Sequence, residues 1–107
     1  MEKITIKINH VGLEALCNYF DNQSLVGLFL TKEQKVVNSI MWEVLQRLLK
    51  KEISKRHTTK KFKMTFKYYE AFAFETSCRM YYNNFKRTDI YGSHVALDVA
   101  NQIDQQL

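Results

Sequence analysis

The sequence predicts an α+β domain: a small sheet of two or three strands packed against about four helices, one of them long and central. Three observations predict it. Two short segments alternate apolar and polar residues, the period of a half-buried strand. The longer apolar patterns between and after them repeat every three to four residues, the period of a helix. And the 107 residues contain no proline, with 46% apolar and 25% charged side chains, the composition of one folded globular unit that favours helices joined by polar loops.

The first strand is KITIKI at 3–8, in which Ile4, Ile6 and Ile8 face one way and Lys3, Thr5 and Lys7 the other. The period then changes. In HVGLEALCNYF at 10–20, Leu13, Leu16 and Phe20 recur at helical spacing, with Asn9 as N-cap, and DNQS at 21–24 has the chemistry of a loop. LVGLFL at 25–30 is short enough for a buried strand and leads into Thr31-Lys-Glu-Gln34, which has the form of a capping box. A long helix is expected from there to about residue 55. On a helical wheel Val37, Ile40, Met41, Val44 and Leu48 share one arc, and Trp42, Leu45, Leu49 and Ile53 widen it to about 220°, with Asn38 and Glu52 inside it, where a helix lying on one core needs little more than about 100°. The surplus predicts a second contact face on Trp42, Leu45, Leu49 and Ile53, most simply in a symmetric homodimer.

KKFKMTFK at 60–67 alternates again, turning Phe62, Met64 and Phe66 inward and Lys61, Lys63, Thr65 and Lys67 outward. YYEAFAFETSCRMYY is helical, with one seam on Tyr69, Ala73, Thr76 and Met80 and another on Ala71, Phe74, Cys78 and Tyr81. NNFKRTDIYG at 83–92 reads as a loop, and Ser93 as the N-cap of a last helix striped by Val95, Val99, Ile103 and Leu107. The whole is a single domain over 1–107. A faint strand–helix–helix repeat runs through 1–56 and 57–107, carried by TIKIN against TFKYY and by EAL against EAF.

The charge is uneven. Residues 47–67 hold nine basic side chains (Arg47, Lys50, Lys51, Lys55, Arg56, Lys60, Lys61, Lys63 and Lys67) against the single acid Glu52, a net of +8. The remaining residues, with seven basic side chains and ten acids, stand at −3. Cations at a helix C-terminus complement its dipole, and lysines on a strand block edge aggregation. Those two devices account for about half of the nine, and the rest point to an anionic partner, first of all nucleic-acid backbone. Five such cations on duplex phosphates would give log K a slope near about −4.5 against log salt.

The sequence carries no recognised catalytic or metal-binding pattern. His10, His57 and His94 stand apart without HExxH spacing, Gly12, Gly27 and Gly92 form no phosphate loop, and Glu70 and Glu75 point away from each other on a helix. His94 and Asp98 share a helix face, the one arrangement that could orient an imidazole. No cofactor is implied. Ten of the fourteen aromatic residues lie between 62 and 91, beside the lysines; on an alternating strand Phe62 and Phe66 belong to the core, which leaves any stacking on bases to Tyr81, Tyr82, Phe85 or Tyr91, next to Lys86 and Arg87. The N-terminus lacks the continuous apolar stretch of a signal peptide, and no run is long enough to span a bilayer. A cytoplasmic setting follows, with Cys17 and Cys78 reduced and buried. The expected function is therefore a small non-enzymatic binding protein touching nucleic acid through 47–67, or alternatively a homo-oligomeric interaction or assembly module.

Overall fold

The computed structural model describes residues 3–22 and 32–107. The element order is β1 (Lys3–Ile8), α1 (His10–Asn22), α2 (Lys32–Ser54), β2 (Phe62–Lys67), α3 (Tyr68–Phe85) and α4 (Ile90–Asp104). The expected LVGLFL strand and the Thr31-led capping box lie outside the described residues.

β1 and β2 form a two-stranded antiparallel sheet with Thr5 opposite Thr65 at its centre. The alternation reads directly into burial: Ile4, Ile6, Ile8, Met64 and Phe66 enter the core while the lysines on both strands stay exposed. Each such apolar side chain contributes roughly 1.5–3 kcal/mol when fully buried. The helices complete the core from below. α1 is capped by Asn9, whose Oδ1 accepts from the Gly12 amide at 2.8 Å, and it buries Leu13, Leu16, Cys17 and Phe20. Its first turn passes close to α4: a Cβ on Gly12 would stand 3.2 Å from Val95 Cγ1 and 3.0 Å from the capping oxygen.

β2 runs straight into α3 with no intervening loop residue. Glu70, in the first turn of α3, accepts from the Lys67 amide at 2.8 Å and so holds the corner. The predicted seam Ala71, Phe74, Cys78 and Tyr81 is wholly buried, with Phe74 and Tyr81 packed on rings of α1, and α3 also packs along α4, which buries Ala96, Val99, Ala100 and Ile103. Of the other predicted seam, Ala73 is buried, whereas Tyr69 and Met80 are exposed. Along the α4 stripe Val99 and Ile103 are buried, Val95 is half-buried and Leu107 is exposed.

The α3–α4 connection differs from the sequence expectation. The helix continues through Phe85, and α4 begins at Ile90 with Asp89 as its N-cap; Ser93 lies inside the helix, buried. Asp89 accepts from the Gly92 amide at 3.0 Å and from the Tyr81 hydroxyl. That shared carboxylate is what ends the turn early. It also explains Gly92, where a Cβ would collide with the Tyr81 hydroxyl. Tyr81 itself is stacked on Tyr19 with ring centroids 3.7 Å apart and planes 6° apart. Burial and then the bond to Asp89 push its phenol above the ordinary range.

Candidate functional site

The basic segment spans the end of α2, the turn after it and β2; Lys50 and Lys51 line a groove described below, and the structure separates the other seven of its nine cations into three groups. The first group is paired. Arg56 donates to both carboxylate oxygens of Glu52, at 2.7 and 3.0 Å, and His10 Nε2 lies 3.0 Å from the same carboxylate. Arg56 first and His10 second hold the Glu52 carboxyl down to about 2. Glu52 therefore sits inside the apolar arc of α2 because it ties that helix to the start of α1. Its charge also adds to burial in raising the Cys17 thiol to about 12. Arg47 is held as firmly: its guanidinium donates to Glu70 Oε1 at 2.9 Å and to the Thr65 carbonyl, and lies 4.8 Å from the centroid of the Phe66 ring. Arg47 and Arg56, expected among the nucleic-acid-contacting cations, are thus each engaged with a carboxylate of the chain.

The second group, Lys55, Lys60 and Lys61, lies on or beside the α2–β2 turn, with Lys55 Nζ 5.5 Å from the centre of the half-buried Phe62 ring. The third group converges. Lys63 and Lys67 project from the solvent face of β2, and the antiparallel register sets them directly opposite Lys7 and Lys3. Four lysines thereby surround the Thr5 and Thr65 hydroxyls, which are 3.3 Å apart. Among the described residues none of the four is paired with a carboxylate. Beside this face, between β2 and the C-terminal half of α2, lies an open groove of about 560 Å³ lined by Arg47, Lys50, Lys51, Ser54, Lys63 and Thr65, with Met64 at its floor. Lys63 belongs to both, so face and groove form one basic surface.

Lys3 and Lys7 were invisible to the charge count along the chain because the register alone brings them to Lys63 and Lys67. Neither ring of β2 is open on the sheet face, since Phe66 is buried and Phe62 half-buried beneath Lys51 and Lys55; the exposed ring nearest the lysines is Tyr69, whose centre lies 5.9 Å from Lys67 Nζ. The structure narrows the rings named for stacking. Tyr81 is 1% exposed and Phe85 packs edge-on against Tyr19, while Tyr82 is half-buried, with Lys86 Nζ 5.6 Å and the His94 ring 5.8 Å from its centre. Only Tyr91 of the four is exposed. His94 makes no bond to Asp98 among the described residues; Asp98 accepts from Gln102 instead.

The proposed second face of α2 is also partly corrected. Leu45 is 3% exposed and belongs to the core of the protomer, so it is not available to a partner. Leu49 is half-buried against that core, and Trp42 and Ile53 stand open at 54% and 62%. The arc was too wide for one core to cover, and the core took the Leu45 edge of it. No helix among the described residues is long and apolar enough to cross a membrane. No family model, curated protein or solved structure matches the chain.

Proposed function

We propose that this protein is a small non-enzymatic binding protein of the cytoplasm that contacts nucleic-acid backbone through the solvent face of its sheet. One observation carries the reading: the register gathers Lys3, Lys7, Lys63 and Lys67 around two threonine hydroxyls, unpaired with any described carboxylate. These pairs occupy the positions where neighbouring strands approach most closely, and like charges placed opposite each other there oppose folding. A polyanion converts that repulsion into attraction and releases its counterions. Lysine ammoniums and threonine hydroxyls address phosphate oxygens and carry no base information, and neither ring of β2 is open for stacking, so the contact of these four lysines is to backbone and is insensitive to sequence. The groove lysines Lys50 and Lys51 extend the same surface.

Fluorescence anisotropy with a labelled duplex tests it. Lys3→Ala, Lys7→Ala, Lys63→Ala and Lys67→Ala combined reduce the salt slope of log K by about 3.6. A quadruple variant that binds as tightly and with the same slope as the parent would remove the proposal.

A second reading, self-assembly into a homodimer, is favoured by the exposure of Trp42 and Ile53 on one flank of α2. A large aromatic and a β-branched side chain left open on one helix flank are the residue types that anchor interfaces. Under this reading Trp42→Ala with Ile53→Glu elutes as a smaller species than the parent on size exclusion; identical elution would dismiss it.

A further inference from the structure

The two outer edges of the sheet are treated differently. At β1 the edge is closed by side-chain amides of α4. Gln106 accepts from the Thr5 amide at 3.0 Å and donates to the Thr5 carbonyl at 2.7 Å; Gln102 does the same for Lys7 at 2.8 and 3.0 Å. Since Thr5 and Lys7 direct both backbone groups outward, their partners across the ladder, Thr65 and Lys63, do so as well. Arg47 takes the Thr65 carbonyl and Glu70 the Lys67 amide. The amide of Thr65 and both the amide and the carbonyl of Lys63 have no partner among the described residues, and they border the open groove.

We infer that this edge of β2 receives an extended acidic segment of a partner protein, which adds as a third strand in the groove beside α2. The chemistry of the edge selects the occupant. Lys63 and Thr65 offer two donors and one acceptor at strand spacing, a set that another peptide backbone complements, as the glutamine amides complement β1. The phosphodiester backbone supplies acceptors only and leaves the Lys63 carbonyl unmet. A second copy of the same edge would set lysines against lysines, the arrangement that blocks edge-to-edge pairing. Lys50, Lys51 and Lys63 around the groove favour acidic side chains on the incoming strand. In antiparallel addition, the residue opposite Lys63 both donates to and accepts from it, and Arg47 stops the pairing at Thr65. The inference goes beyond the nucleic-acid reading and does not rest on it: it concerns the edge and the groove, and it holds if the sheet face binds no polyanion.

The test is amide hydrogen exchange on the full chain with a capped octapeptide of alternating glutamate and valine. At peptide concentrations of about ten times Kd, the Lys63 and Thr65 amides are protected roughly tenfold while Thr5 and Lys7 do not change. The same peptide methylated at every backbone nitrogen keeps its charge and gives no protection. Lys50→Glu with Lys51→Glu weakens the unmethylated peptide. The inference is overturned by absence of protection at millimolar peptide, by equal protection from the methylated form, or by undiminished affinity in the charge-reversed variant. Protection of these two amides by a short duplex and not by the peptide would assign the groove to nucleic acid and overturn it equally.

Discussion

Both strands of the sheet carry Lys-x-Thr-x-Lys, at 3–7 and 63–67, and the antiparallel register superposes the two patterns about the Thr5–Thr65 pair. Yet the backbone groups beside them meet different chemistry. Along β1, Gln102 and Gln106 of α4 stand in for a neighbouring strand. Along β2, α2 sends one arginine to one carbonyl and otherwise leaves a groove lined with lysines. An edge strand invites pairing, and proteins close such edges when nothing is meant to bind them. The difference teaches that closure was available to this fold and was used on one side only. The side left open is the side that carries the charge.

The comparison can be broken at its root through the core that both strands share. Phe66→Ala removes a ring that is 1% exposed, packs on Phe74 and lies beneath Arg47. We expect a loss of about 3–5 kcal/mol in urea unfolding. A smaller effect comes from unsealing β1. Gln102→Ala with Gln106→Ala deletes four hydrogen bonds to the backbone of Thr5 and Lys7. At about 0.5–1.5 kcal/mol each, discounted for exposure, the double variant loses about 2–3 kcal/mol. It also self-associates, which light scattering detects; a monodisperse variant of parental stability would show that the glutamines do not guard the edge.

The groove can be sharpened through Glu52, which anchors the end of α2. Its carboxyl is held at about 2, below the ordinary 4.5. A depressed carboxyl contributes stability that is full above the unfolded value and is lost as pH falls toward the folded one. The Glu52 contribution should therefore decay between about 4.5 and about 2. Glu52→Gln should flatten the acid limb of the stability curve in that window, and an unchanged limb would refute the linkage. The smallest expected effect carries an unusual sign. Lys63→Ala relieves the repulsion with Lys7 and leaves stability equal or higher by about 0.2–0.5 kcal/mol, while it lowers the duplex salt slope by about 0.9.

Much of the fold was legible because its signals are local. Alternation marked β1 and β2, Asn9 marked the start of α1, and the wheel marked α2, whose described end at Ser54 lies one residue from expectation. The site was legible only in half, because its geometry is not local. Lys3 and Lys7 join Lys63 and Lys67 across about sixty residues of chain, and nothing in either segment announces the other. Nothing local marks Gln102 and Gln106 either. Their signal was a match of periods: residues four apart on a helix rise about 6.0 Å, close to the roughly 6.6–6.8 Å between alternate residues of a strand. Leu45 was misassigned because an arc of about 220° shows that a helix has apolar surface to spare without showing which flank the core will take. Asp89 was passed over as a cap in favour of Ser93, since the contact that decides between them comes from Tyr81, on the preceding helix.

The central claim is that the sheet has one edge closed by glutamines and one edge left open beside its lysines. Residue-resolved amide exchange on the free protein measures it directly. Slow exchange at Thr5 and Lys7 with fast exchange at Lys63 and Thr65 is the predicted result. Equal protection on the two strands, or the reverse order, would contradict it.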